Sequence, residues 1–243
     1  EPALPLPTQL GAGQAAMAIA RWMVDPSTFP LDRLFVVDTW GMSVQTHPVV
    51  RYPQCPSCGD PELLAKRGLA PLVLESRPKR FRADGAHRIA SPEQAIQKLS
   101  RQISPITGIV AGVGPIPERD HPLRPVYGSS YRLCPAHEAP SFEDFHRIAM
   151  GKGRTFAQAR ASAIGEAIER HSLMFRGDEP LKRASFEELG DAALHPNEIQ
   201  LFSDSQYRRR EELNALTQDE PKRIPLPFDP KVPIDWAPVW SLT

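Results

Sequence analysis

No charge of one sign predominates in these 243 residues: Lys and Arg together number 29, and so do Asp and Glu. The zero balance removes the electrostatic footprint of a polyanion binder, so nucleic acid is not an expected partner. Cysteine is scarce. Three residues, an odd number, do not make a disulfide framework and point to a reducing, cytoplasmic setting. A run of roughly 18 apolar residues, which a membrane span requires, is missing. The opening Glu1-Pro2-Ala3-Leu4-Pro5 has neither the basic stretch nor the Ala-x-Ala site of a secretory signal. Internal repeats are absent too. Proline, by contrast, abounds: its 27 residues are about twice average usage. Because proline neither continues a helix nor sits in a central strand, many connections should be irregular. The length leaves room for one large domain or two modest ones around a real core.

Along the chain, Leu10, Ala15, Met17, Ala18, Ile19 and Trp22 recur near helical spacing, which predicts a mostly buried helix over 9–23. Within it, Gly11-Ala12-Gly13 has no preceding strand, so it reads as helix packing and not as a dinucleotide fingerprint. Buried strands are expected at Leu34–Asp38 and Pro48–Tyr52, the second leading into Cys55-Pro56-Ser57-Cys58-Gly59. The polar, basic stretch between Glu75 and Gly85 marks a domain boundary, placed between residues 76 and 77. Ser91-Pro92-Glu93 supplies an N-cap with proline at the first helical position, and the helix should end near Ser104-Pro105. Ile109–Val113 reads as a strand and Pro115–Pro125 as a loop. Thr155-Phe156-Ala157-Gln158 is a capping box that opens a helix to Met174, with Gly177 closing it. Arg208–Glu212 reads as a solvated helix face. A last strand around Trp236 and Trp240 reads as cut short at Thr243, without its later partners.

The chemistry concentrates at Gly151-Lys152-Gly153-Arg154-Thr155 and the helix after it. At about 100° per residue, Ser162, Glu166 and Glu169 share an arc of roughly 60°. Two carboxylates on a packed helix repel unless something neutralises them, and Mg²⁺ with phosphate oxygens is one group that would. Lys152, between two glycines and just before a helix N-terminus, suits phosphate. The same spacing also allows a plain surface pair of Glu166 with Arg170, four residues on, and a solvated Glu169. Spacing alone does not choose. Cys55 and Cys58 by themselves are a weak zinc signal, because tetrahedral Zn²⁺ wants four ligands. Cys134 and His137 could complete a Cys₃His set, though at an unusual separation, and redox use of the pair lacks the surrounding βαβ pattern.

The run Gly-Lys-Gly-Arg-Thr-x-x-Gln-Ala-Arg-Ala-Ser-Ala-Ile-Gly-Glu-Ala-Ile-Glu-Arg, residues 151–170, resembles the first nucleotide-binding helix of the YcaO family. The likeness continues through Phe175–Pro180, His195-Pro196-Asn197, Leu201–Asp204, Pro227-Phe228-Asp229 and Trp236–Thr243, and is to the thiazole/oxazole cyclodehydratase branch. Residues 9–60, ending in the cysteine knuckle, resemble the tail of the ThiF-like domain found beside such enzymes. The resemblance implies an α/β (α+β) protein: residues 1–76 a ThiF-like remnant, 77–243 the first portion of a YcaO ATP-binding domain. The family's second acidic motif and proline-rich terminus would lie beyond Thr243, so the chain alone is expected to be an inactive part of the enzyme.

It further implies that Glu166 and Glu169 hold Mg²⁺-ATP, with Ser162 and Lys152 beside them and Arg88 and Lys98 as phosphate-touching candidates. Cys55 and Cys58 would be half of a Cys₄ structural zinc site of the full-length parent. A Cys, Ser or Thr side chain of the substrate attacks the preceding amide carbonyl, ATP phosphorylates the oxyanion, and phosphate leaves to give an azoline. The implied partners are a ribosomal precursor peptide with a leader, as in bacteriocin-type pathways, partner biosynthetic proteins, and a second copy in a homodimer. Two rival functions are an inert leader-binding scaffold of the same pathway and an enzyme that makes thioamides from external sulfur.

Overall fold

A computed structural model describes residues 5–76, 78, 88–117, 124–133, 147–177, 179–217 and 223–239. Cys134, His137, Trp240–Thr243 and most of the stretch 75–85 lie outside the described residues, so the Cys₃His alternative and the very end of the last strand do too. The chain divides into two compact units, Glu1–Pro61 with Leu74–Asp178 and Glu62–Val73 with Glu179–Thr243.

The first unit contains α1 (Pro5–Val24), β1 (Arg33–Asp38), β2 (Ser43–Pro48), α3 (Pro92–Leu99), β3 (Val110–Pro115), β4 (Val126–Tyr131), β5 (Arg147–Lys152) and α4 (Phe156–Ser172); α2 (Leu63–Leu69) belongs to the second. β3, β4 and β5 form an antiparallel sheet in that order, with Ser129 opposite Ala149 and Tyr127 opposite Gly151. α4 packs across one face of this sheet, and α3 packs on α4. The core is Val110, Tyr131, Ala149, Ile164 and Ala167, with Ile96, Leu99, Ile103 and Ile168 against it. α3 begins as its sequence predicts: Ser91 Oγ accepts from the Gln94 amide and Gln94 Oε1 from the Ser91 amide, a reciprocal capping box. It ends at Leu99, followed by a 3₁₀ turn, five residues before Ser104.

The front segment departs from expectation in burial. α1 forms, but none of its described residues is buried, and Met17, Ile19 and Met23 are more than half exposed. Apolar periodicity predicts the helix but not what covers it; among the described residues α1 packs mainly on the turn Pro26–Thr28. Gly11 and Gly13 likewise have open space where a packing neighbour was expected. β1 forms where predicted, but the strand expected at Pro48–Tyr52 lies earlier, at Ser43–Pro48, where the turn at Trp40-Gly41 pairs it with β1 and sets Leu34 opposite His47. Most of the hairpin is exposed. Its buried anchor is His47, 5% exposed, whose Nδ1 lies 3.0 Å from the Oγ of buried Ser104. Thr107 Oγ1 donates to the Pro48 carbonyl at 2.6 Å, and Arg101 pairs with Asp32 at 2.7 Å. Three contacts thus fix the hairpin to residues 101–107.

In the second unit, β6 (Lys182–Ala184) pairs antiparallel with β7 (Ile234–Trp236), so the strand around Trp236 finds a partner upstream. Trp236 Nε1 donates to the Ala184 carbonyl at 2.9 Å, and Phe186, His195, Phe228 and Trp236 meet edge to face or tilted. The helical stretch after Pro196 is broken. α5 (Phe186–Leu189) is followed by α6 (Asn197–Gln200), α7 (Asp204–Arg208) and α8 (Arg210–Ala215). Arg209 and Glu212 form an exposed pair, as a solvated face would, but Arg210 Nε turns to the carbonyls of Ile224 and Pro225.

α4 ends at Ser172, short of Gly177, and a histidine in its last turn fastens it. His171 Nδ1 must donate to the Arg132 carbonyl at 2.8 Å, because a carbonyl only accepts. Its Nε2 must then accept from Arg176 Nη2, because a guanidinium only donates. The Arg176 guanidinium in turn lies 5.4 Å from the centre of the Tyr52 ring. Burial, and then the nearby Arg176 charge, hold His171 below its ordinary value of 6.5 despite the carbonyl.

Two outcomes follow from this packing. A Cβ on Gly151 would come within 2.2 Å of the Ala163 nitrogen and Ala159 oxygen, whereas one on Gly165 meets nothing within 4 Å. Gly151→Ala should therefore cost about 2 kcal/mol or more, and Gly165→Ala should be neutral or stabilise by up to about 1 kcal/mol, measured by urea denaturation. For His171 the folded state favours the neutral ring, so its contribution is full above the unfolded value and is lost as pH falls through the lower folded one. The urea midpoint should drop on acidification below about pH 6.5, and less so in His171→Gln, which does not titrate.

Candidate functional site

α4 decides which side chains can act together. Thr155 caps it, with Oγ1 accepting from the Gln158 amide at 3.2 Å. The reciprocal half of the expected box is shifted by one residue: Gln158 Oε1 accepts from the Arg154 amide at 2.6 Å. Ala159, Ala163, Ile164 and Ala167 are completely buried against the sheet. Seen down the axis, the arc of Ser162, Glu166 and Glu169 lies roughly 85–145° from the centre of that buried stripe. Ser162 and Glu169 are accordingly exposed, and Glu166 lies on the flank with its side chain 33% exposed.

Glu166 is not alone there. Arg170 directs both Nε and Nη2 at Glu166 Oε1, at 2.9 and 2.8 Å, so the surface-pair geometry that the spacing allowed is realised. The Glu166 carboxylate, and next the Tyr131 hydroxyl, hold the Arg170 guanidinium above its ordinary value. Glu169 has no ion pair among the described residues. Lys152, the last residue of β5, is exposed and stands opposite Val126. The glycines beside it serve the fold first: a Cβ on Gly153 would lie 2.7 Å from the Ala159 nitrogen, so both glycines admit α4 to the strand. Lys98 is exposed in the last turn of α3, and Arg88 is exposed ahead of that helix. Neither pairs with Glu166 or Glu169 among the described residues.

The donor set on this face is hydroxyl and carboxylate oxygen, the hard ligands that Mg²⁺ takes together with phosphate and water. A cationic group already rests on one of them, since the guanidinium sits at Glu166. These donor types suit a divalent cation, but among the described residues no group of three or more His, Cys, Asp or Glu comes together there. Cys55 and Cys58 offer the opposite chemistry, two free thiols in a tight knuckle. The Gly59 amide donates to the Cys55 carbonyl at 2.7 Å, and a Cβ on Gly59 would lie 2.2 Å from the Pro53 oxygen. Backbone amides of Ser57 and then Cys58 pull the Cys55 thiol below its ordinary value. Among the described residues no third His, Cys, Asp or Glu joins them as a metal cluster.

Two features escaped sequence reasoning. The Tyr52–Arg176–His171–Arg132 contacts join positions with no helical or strand spacing between them. Ser104 and His47, 57 residues apart, are each unremarkable in composition or pattern. Among the described residues no helix is long and apolar enough to cross a membrane.

Comparison with known proteins bears on this geometry. Residues 150–243 match the family model described as YcaO cyclodehydratase, binding ATP and Mg²⁺. The whole chain aligns with a heterocyclase solved in complex with substrate and cofactor, at 37% identity and a TM-score of 0.81, covering 100% of this chain and 33% of that one. It aligns also with the heterocyclase TruD, at 36% identity and a TM-score of 0.66, covering 99% of this chain and 29% of that one. The chain therefore spans about a third of the length of these heterocyclases. Among curated proteins, none matches. The mixed helix-and-sheet architecture agrees with these neighbours, and the acidic face of α4 lies inside the stretch, residues 150–243, that matches the YcaO family model.

Proposed function

We propose that the chain is part of an enzyme that uses ATP to cyclodehydrate Cys, Ser or Thr residues of a ribosomal precursor peptide to azolines. The observation that carries this reading is the oxygen-rich face of α4, with Glu166 and Glu169 on it, inside the segment that matches the family. In the reaction the substrate side chain adds to the preceding amide carbonyl, and the former carbonyl oxygen must then depart. ATP supplies the phosphoryl group that makes this oxygen a good leaving group, and Mg²⁺ spreads the charge of the transfer. The net change in the peptide is loss of one water per ring. Glu166 and Glu169 would hold the metal, Ser162 would add a neutral oxygen, and Lys152 would meet phosphate at the approach to the helix. Arg88 and Lys98 are assigned to the same phosphates with less support, since neither touches the acidic face. The leader-bearing peptide, partner proteins, a homodimeric assembly and a cytoplasmic setting belong to this reading.

The front segment, residues 1–76, is assigned to the tail of a ThiF-like domain, and 77–243 to the YcaO domain. Cys55 and Cys58 would contribute half of a structural zinc site, which the closed knuckle and its amide-stabilised thiol support. Two thiolates leave half a tetrahedron unfilled, so the 243-residue chain alone should retain no stoichiometric zinc, while the longer parent should hold one per chain. Metal analysis of both preparations decides it, and tight zinc in the short chain would overturn the assignment.

Glu166→Gln and Glu169→Gln test the central reading, because the change keeps shape and removes charge. In the longer parent each should weaken Mg²⁺-ATP binding at least about tenfold and stop water loss from the peptide, while the melting curve stays near that of the parent. Product mass separates the rivals: thioamide formation exchanges oxygen for sulfur, and an inert scaffold consumes no ATP when precursor is added. Near-normal turnover in both variants would remove these carboxylates from the mechanism.

A further inference from the structure

Resting on the placement of a divalent cation at Glu166 and Glu169, we infer that Arg170 is the resident counter-ion of Glu166, a placeholder that the incoming cation displaces. Two carboxylates on one helix face repel, and the one nearer the packed side loses more hydration. That one is Glu166, at 33% exposure. Arg170 compensates it with two N–H groups on a single oxygen, Oε1. Glu169, which is exposed, is left without such a partner among the described residues.

The nearby hydroxyl of Tyr131, a residue only 4% exposed and part of the core, adds to Glu166 in holding the Arg170 guanidinium above its ordinary value. The Arg209–Glu212 pair offers an internal comparison: both of its side chains are more than half exposed. It should behave as a solvated pair and no more. A cation entering at Glu166 competes with Arg170 for the same carboxylate and is repelled by its charge. Linkage makes the effect reciprocal, so cation binding loosens the Arg170–Glu166 contact by the same factor that Arg170 weakens the cation. The arrangement keeps Glu166 compensated and ordered before the metal arrives, and it lowers affinity for metal alone.

The test uses the 243-residue chain and Mn²⁺ without nucleotide, with free metal followed by electron paramagnetic resonance. Arg170→Met should bind Mn²⁺ about fivefold more tightly, within the usual range of coupling between two competing sites. Arg170→Lys, which keeps the charge without the forked geometry, should fall between it and the parent, and it decides the matter if the methionine variant does not fold. Arg209→Met should change nothing, and Glu166→Gln should abolish the site. Unchanged or weaker affinity in Arg170→Met, with loss in Glu166→Gln, would overturn the counter-ion role and leave the metal site standing. Equal Mn²⁺ binding by the parent and Glu166→Gln would overturn the metal placement, and the inference with it.

Discussion

The contact on which the first unit depends is the approach of α4 to β5 at Gly151, where no side chain intervenes. Backbone meets backbone there: a methyl group would overlap Ala159 and Ala163. An alanine stripe on the helix and a glycine pair at the strand end together set the distance between layers. Ile164 and Ala167 then fill the space above Val110, Tyr131 and Ala149, with α3 closing the side. Because this face of α4 is consumed by packing, the helix can present its acidic arc only outward and to the flank. The chemistry of Ser162, Glu166 and Glu169 is thus a consequence of where the small residues are.

What the sequence made legible was local. Caps at Ser91 and Thr155 follow from a few adjacent residues, and both appear. The strand at Arg33–Asp38, the shared face of Ser162, Glu166 and Glu169, and the closed Cys55–Gly59 knuckle have the same local origin. The misreadings share one cause: burial and partner choice depend on what lies across a gap. α1 was periodic enough to be a helix, but periodicity does not supply a covering surface. The strand expected at Pro48–Tyr52 lies several residues earlier because the Trp40-Gly41 turn, and not the next apolar run, sets register. Gly151 and Gly153 were read toward phosphate, and their nearest demand is the helix itself.

For Glu166 the two readings weighed from spacing are compatible. An i,i+4 pair with Arg170 and a role at a metal site exclude each other only if the structure is taken as a single state. A carboxylate bound for a cation needs some counter-charge before that cation comes, and a neighbouring arginine supplies it with little reorganisation. The observed pair is therefore no argument against a binding role for this face, nor by itself an argument for one. The family match to residues 150–243 is what favours the second.

The front hairpin shows why compactness need not follow the boundary that the sequence resemblances suggest. A boundary at residue 76 separates two resemblances, yet residues 1–61 and 74–178 form one compact unit. Proton counting at its buried anchor explains how. Ser104 Oγ accepts from the Ile106 and Thr107 amides at 3.2 and 3.1 Å, and its own proton has two acceptors in reach, His47 Nδ1 and Thr107 Oγ1, whose hydrogen is committed to the Pro48 carbonyl. Whichever way that proton points, His47 Nε2 is buried and has no partner among the described residues. Such a deficit costs about 1–3 kcal/mol. The hairpin stays docked because Thr107 on Pro48, Arg101 on Asp32 and the Ser104–His47 bond act in one register, so that slipping by a residue would forfeit all three. A polar lock of this kind contributes little net stability but a unique position, and it seats residues 32–48 on residues 101–107.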